Sequence, residues 1–320
     1  MTAKKIHPLL AALLLGISGL AHSVLDCDMN DLSVSPSNGK VGRESTYING
    51  DEIGLVRTFY ASGMRRSVSF NVEGRREAAS ANFTEAGQLS ALRCADKPML
   101  APAFDDTRAC GFSDGPSQVE LFDGKGKLRE RVSYGAGKRL HWQGIYDNGQ
   151  PETSGDTVGD QSIGRRFWPN GLKRHEVYSL AIGQRTVRQR ELAYSERGTL
   201  VHEQRWSVES VPTNDNSFYL NGQPRSKSVY LSDGAQRFVD ISAFYDSGER
   251  SAVGRFRAGP RGGGTTPVCT HQTFDTRDLL ATETNYDDKG SVTREREFDE
   301  GKLKRDDEVF EDRSGKAFAK

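Results

Sequence analysis

The chain has 320 residues, of which 35% are hydrophobic, with 44 basic against 44 acidic side chains and four cysteines. A formal charge of +0 leaves no basic field for a nucleic-acid backbone, so any partner is recognised locally. The hydrophobic content is low for a thick core of this length, but it suits a thin sheet whose units lean only on their neighbours.

At the N-terminus Lys4 and Lys5 precede the uncharged run from Ile6 to Leu20, which is too short to span a bilayer. Ala21 and Ser23 fill the small-residue positions ahead of Val24, which predicts an export signal over residues 1–23. Lipid attachment at Cys27 competes weakly, because Asp26 just before it spoils the pattern. No later apolar run is long enough for a membrane-spanning helix. The expected location is periplasmic or secreted, where Cys27, Cys94, Cys110 and Cys269 become candidates for disulfides.

After an N-terminal segment, residues 24–56, a unit recurs over 57–320: an aromatic residue, often with a second beside it, four positions ahead of a glycine. The clearest copies are Phe59 to Gly63, Phe167 to Gly171, Phe218 to Gly222 and Phe244 to Gly248. Ile145 to Gly149 is a near match, and Phe83, Phe122, Tyr194 and Tyr286 keep one aromatic at the same offset. Taken at Gly63, Gly87, Gly126, Gly149, Gly171, Gly198, Gly222, Gly248, Gly290 and Gly315, the steps are 24, 39, 23, 22, 27, 24, 26, 42 and 25. Half-step echoes lead to Gly74, Gly137, Gly234, Gly259 and Gly301. Such a half-period fits one strand plus one tight turn, with glycine supplying a positive φ, so each unit reads as one β-hairpin. The predicted fold is all-β, an elongated antiparallel meander of about ten repeated hairpins.

The best copies, FWPNGLKR from Phe167 to Arg174 and FYLNGQPR from Phe218 to Arg225, resemble the MORN-repeat superfamily, specifically the variant repeats of YwqK-like antitoxins. The resemblance spans roughly Phe59 to Gly315. It implies an elongated antiparallel sheet, a binding role without catalytic residues, and in bacteria an immunity protein or antitoxin that neutralises a partner toxin.

The two long steps mark interruptions, expected as insertions near 90–118 and 258–275, and three of the four cysteines lie in or beside them. Cys94 and Cys110 close a short loop carrying Pro98 and Pro102, so they are expected to pair, with a loop-closure contribution of roughly 3 kcal/mol. By elimination Cys27 would bond Cys269; the rival is Cys27 with Cys94 or Cys110.

For chemistry the chain offers little. His141, His175, His202 and His271 lack an HxH or HExxH setting, and the cysteine spacings match no zinc template, so no metal is expected. His175-Glu176 and His202-Glu203 look like acid–base pairs, but adjacent strand residues face opposite ways. Gly262-Gly263-Gly264 lacks the lysine of a phosphate loop, and there is no G-x-S-x-G elbow. The chain is therefore expected to be non-enzymatic and free of cofactors. Aromatics beside arginines are enriched at contact sites, which makes Trp168, Tyr219 and Tyr245, with Phe167, Phe218 and Phe244, candidates for partner binding. The favoured reading, however, is that these positions, which define the repeat, pack between neighbouring hairpins. The functional expectation is an exported protein that binds a protein partner, with a toxin or effector as candidate. The alternative is a structural envelope protein that binds lipid or peptidoglycan.

Overall fold

The computed structural model describes residues 30–37, 40–72, 76–259, 264–310 and 315–317. The expected signal over 1–23 and Cys27 lie outside the described residues. Apart from one helical turn, the regular elements are antiparallel strands joined to their sequence neighbours. This is the meander of hairpins that the glycine spacing predicts.

A first sheet holds β1 (Asn30–Ser37), β2 (Lys40–Ile48), β3 (Asp51–Phe59), β4 (Arg65–Val72), β5 (Arg76–Phe83) and β6 (Leu89–Arg93), in chain order. The segment set apart as 24–56 thus belongs to the array from Asn30 onward. Its first complete hairpin turns at Asn49 (φ 52°) and Gly50 (φ 84°), the geometry a two-residue loop requires.

The second sheet begins with β7 (Val119–Phe122), β8 (Leu128–Gly135), β9 (Lys138–Ile145), β10 (Pro151–Val158), β11 (Gln161–Phe167) and β12 (Lys173–Ile182). It continues through β13 (Arg185–Tyr194), β14 (Leu200–Trp206), β15 (Pro212–Phe218), β16 (Pro224–Asp233), β17 (Gln236–Phe244) and β18 (Arg250–Ala258). The last strands are β19 (Thr265–Phe274), β20 (Leu280–Tyr286), β21 (Val292–Asp299), β22 (Lys302–Val309) and β23 (Gly315–Ala317). The strand order is that of a closed ring. However, the registers run from β7–β8 to β22–β23, and among the described residues none joins β23 to β7. The molecule is therefore better described as a meander than as a barrel with a hydrogen-bonded seam.

The described residues of the 42-residue step continue the repeat. Residues 265–274 form β19, and the glycine missing at the next turn is replaced by Asp278, which takes φ 60°. Among the described residues, most of the stretch expected as an insertion near 258–275 is thus a repeat strand, β19, paired with β18. Cys269, on β19, carries a free, exposed thiol, and the partner expected for it, Cys27, lies outside the described residues.

The 39-residue step does hold an insertion. Between β6 and β7 the chain carries α1 (Asp106–Ala109), with Asp105 accepting from the Arg108 amide at 3.1 Å as its cap. A disulfide joins Cys94 to Cys110, as expected. Leu100 is completely buried, against Val68, Ala79 and Ala81 of the first sheet. Asp106, also buried, accepts the Met99 and Leu100 amides at 2.6 and 2.9 Å and so fixes the loop.

A second cluster, Val119, Leu121, Val132 and Tyr134, packs beneath Leu89, Leu92, Cys94 and Ala109. Leu92 stands five residues after Gly87, whereas Val132 stands six after Gly126. Because strand side chains alternate, the two sheets turn opposite faces of the repeat toward the insertion. Both clusters of buried apolar residues lie at this junction. Beyond β10 the buried apolar side chains among the described residues are single ones: Val187, Leu192, Val239, Val268 and Phe274.

Candidate partner-binding surface

The repeat motif resolves into a turn with a job for each residue. In every five-residue turn from Tyr60–Met64 to Asp287–Ser291 the first N–H donates to the fifth carbonyl, and the fourth N–H donates back to the first carbonyl. The fourth residue sits at positive φ, for example 83° at Gly171 and 87° at Gly222, which favours glycine.

Where the first turn residue is aromatic, its polar atom reaches the next hairpin. The hydroxyls of Tyr60, Tyr146, Tyr219 and Tyr245 donate to the carbonyls of Phe83, Phe167, Phe244 and Phe274 at 2.7–2.9 Å, and Trp168 Nε1 donates to Tyr194 at 3.3 Å. The asparagines Asn148, Asn170 and Asn221 cap their own turns through Oδ1 and donate through Nδ2 to a carbonyl of the following turn. Where the first residue is not aromatic, its own oxygen caps the turn, as with Asp123, Ser195 and Asp287. The arginine three residues past the glycine covers the ring: Arg174 lies 4.6 Å over Trp168 and Arg225 5.9 Å over Tyr219.

Trp168, Tyr219 and Tyr245 are therefore half-buried rungs of a ladder along one rim of the sheet, each bonded to the next hairpin. Phe167, Phe218 and Phe244 stand one residue earlier, at strand ends. What the rim offers to a partner is the outer surface of this ladder, including the guanidinium groups on its rings.

The faces of the second sheet carry rows of paired charges. On one face Arg165 bonds Asp156 at 2.5 Å and Glu176 at 3.3 Å, and Glu203 accepts from Arg190 and Arg205 at 2.8 Å. Further along, Arg296 joins Glu283 at 2.5 Å to Asp306 at 3.4 Å. Burial pushes the Glu176 carboxyl up, but the Tyr194 hydroxyl, Lys173 and Arg165 outweigh it, and the net shift is downward. Glu176 and its surroundings in turn raise the Tyr194 phenol, burial being the largest cause.

On the opposite face His175 contacts Glu191 at 2.6 Å and His202 contacts Asp215 at 2.8 Å. The histidine partners thus lie on neighbouring strands; Glu176 and Glu203, adjacent in sequence, serve the other face. Gly254 admits the ring of His271, which contacts Phe256 and Tyr286 at 4.7 Å and lines a shallow cavity of about 250 Å³. Among the described residues, no group of three His, Cys, Asp or Glu side chains is arranged to hold a metal.

No family model matches the chain, and no curated protein matches it. Among solved structures it is similar to a chain in the crystal structure of TcdB2-TccC3-Cdc42, with 8% identity over 88% of this chain and a TM-score of 0.21. A chain in the crystal structure of TcdB2-TccC3 matches at 10% identity, with the same coverage and TM-score. The protein spans 17% of the length of each of these chains.

Proposed function

We propose that this is an exported, non-enzymatic repeat protein of the periplasm or extracellular space, and that it binds a protein partner through its second sheet. One observation carries the reading. From β10 to β22 one face of the sheet holds Arg–carboxylate pairs in succession, the other carries further ion pairs at β13 and β22, and among the described residues the apolar side chains buried there are single ones. Such rows supply geometry and charge pattern, which serve specificity more than stability. The Cys94–Cys110 disulfide supports an oxidising compartment. With the motif's likeness to YwqK-like antitoxins, the finer reading is an immunity protein that blocks a toxin or effector. Attachment to lipid has less support, because ion pairs stand on one face at Arg190–Glu203 and Arg296–Glu283 and on the other at Arg188–Glu191 and Arg305–Asp307, whereas an interfacial element needs one apolar face. Co-purification from a periplasmic extract tests the proposal: a stoichiometric protein partner is expected, and recovery of none under native salt conditions overturns it.

A further inference from the structure

Strand lengths differ sharply at the end of the sheet opposite the aromatic rim. The hairpins β12–β13 and β16–β17 close with the two-residue turns Gly183-Gln184 and Gly234-Ala235, whereas β14–β15, between them, turns early through Ser207–Val211. On β13, Arg185–Gln189 lie beyond the last pair with β14, Arg190↔Arg205. On β16, Tyr230–Asp233 pair with β17 but lie beyond the last pair with β15, Asn214↔Val229. The short hairpin thus leaves a notch two strands wide, its walls three strand spacings apart, or roughly 14 Å.

The walls present open backbone. A two-residue turn makes Asp233↔Gln236 the closing hydrogen-bonded pair, so alternate residues turn their main-chain groups the other way, toward the notch. Ser232 is one of these, and by the same parity Thr186 and Arg188 are the corresponding residues on the facing wall. The apolar surface is concentrated in the same place. A cavity of about 480 Å³ is lined by Val211, Pro212, Tyr230, Leu231 and Phe238, and Val211, Val229 and Leu231 are each about 40% exposed. Charge brackets it: Glu209 stands on the floor, and Arg237 stands on β17, behind the β16 wall and paired with Ser232.

An apolar cavity alone would suit many ligands. One flanked by unpaired strand edges, with an acid at one side and a base at the other, suits a guest that carries its own N–H and C=O groups at strand spacing. We infer that the notch above Ser207–Val211 receives an extended segment of the partner protein, which pairs with the β16 edge at Ser232 and sets an apolar side chain against Val211 and Leu231. The guest's basic residue then faces Glu209 and its acidic residue faces Arg237. This rests on the partner-binding reading and specifies where and how that contact is made. Strand addition of this kind gives affinity through the main chain and selectivity through the one pocket.

The test selects binders from a displayed library of random linear peptides against the purified protein, then measures the enriched peptides on three variants. Ser232→Pro removes an outward N–H and leaves the β17 pairing intact, a change an edge strand tolerates. Val211→Asp places a charge at an already exposed position in the cavity, and Val158→Asp does the same on a distant, 79% exposed hairpin tip. Unchanged urea midpoints confirm that all three fold. The expected result is enriched peptides with a central apolar residue that bind wild type and Val158→Asp alike, and bind Ser232→Pro and Val211→Asp weaker by roughly tenfold or more. Failure to enrich any peptide, or equal binding to all variants, overturns the notch. If co-purification still yields a stoichiometric partner, the partner-binding reading stands without it; if that also fails, both fall.

Discussion

The rim ladder can be taken apart one hydroxyl at a time. Tyr219→Phe keeps the ring beneath Arg225 and removes only the donor to the Phe244 carbonyl, 2.9 Å away; Tyr245→Phe does the same to the next rung, at 2.7 Å from the Phe274 carbonyl. Each change leaves a half-buried carbonyl short of a partner, at a cost of about 1 kcal/mol. With a urea m-value of about 3 kcal/mol/M, the midpoint falls by roughly 0.3 M for one change and 0.7 M for both. The control is Tyr178→Phe, because the Tyr178 ring meets Arg190 but its hydroxyl has no hydrogen-bond partner among the described residues. Equilibrium urea unfolding, followed by far-ultraviolet circular dichroism, reads all four proteins. A double variant with the midpoint of wild type, or no further from it than Tyr178→Phe, would refute the idea that these hydroxyls tie one hairpin to the next. The rings would then have to be explained by contact with something outside the chain.

Three other outcomes follow from the same structure. Replacing both Cys94 and Cys110 by serine opens a loop with a sequence separation of 16 and lowers stability by about 3 kcal/mol; an unchanged thermal midpoint, with and without reductant, would contradict this. Gly222→Ala meets nothing within 4 Å, so its cost comes from φ 87° alone, about 1 kcal/mol by urea unfolding; a neutral result would mean that the turn relaxes. Acid should destabilise the sheet. The Arg294 guanidinium, with Arg296 behind it, holds Asp306 below its ordinary range, Arg165 does the same for Asp156, and Glu176 and Glu203 are also lowered. A carboxylate depressed in the folded state contributes stability above its unfolded pKa of about 4, and that contribution is lost as pH falls through the folded value. Thermal midpoints should therefore hold from pH 7 to about 5 and drop below about 4; midpoints that rise on acidification would reverse the sign.

Glycine spacing made the hairpins legible, because a positive φ at the fourth turn position leaves a residue signature. It failed where another residue took the same φ. Ser210 at 65° and Asp278 at 60° close turns of identical bonding, and Asp278 accounts for a step that reads as an insertion. The strands before Phe59 were missed because Asn49-Gly50 closes a hairpin with no aromatic four positions ahead. Cys94 and Cys110 were legible as neighbours across a short loop, but pairing the remaining two by elimination carried no geometric information, and Cys269 proved free. That Tyr219 and Trp168 pack between hairpins was legible from the repeat, but the hydrogen bonds they make there were not. A hydroxyl that bonds a carbonyl 25 residues later becomes visible only once the register between hairpins is known.

Register also explains how a sheet can keep open backbone without becoming a general adhesive. An exposed, flat edge invites pairing with any similar edge, including that of another copy. In the notch the open groups of β16 and β13 are set back between projecting hairpins and face each other across a gap of roughly 14 Å, too narrow for a second sheet to enter broadside. The approach is charged: Arg185 lies close enough to Glu209 to help hold its carboxyl below the ordinary range, after the larger effects of Ser207 and the Glu209 amide, and Arg188 covers Trp206 at 5.4 Å. A guest must therefore be narrow, extended and matched in charge, whereas a broad apolar edge is refused by shape before its affinity counts. The short Ser207–Val211 hairpin gives up two-strand pairing along that stretch, and in return the array gains one place where main-chain recognition is available only to a selected partner.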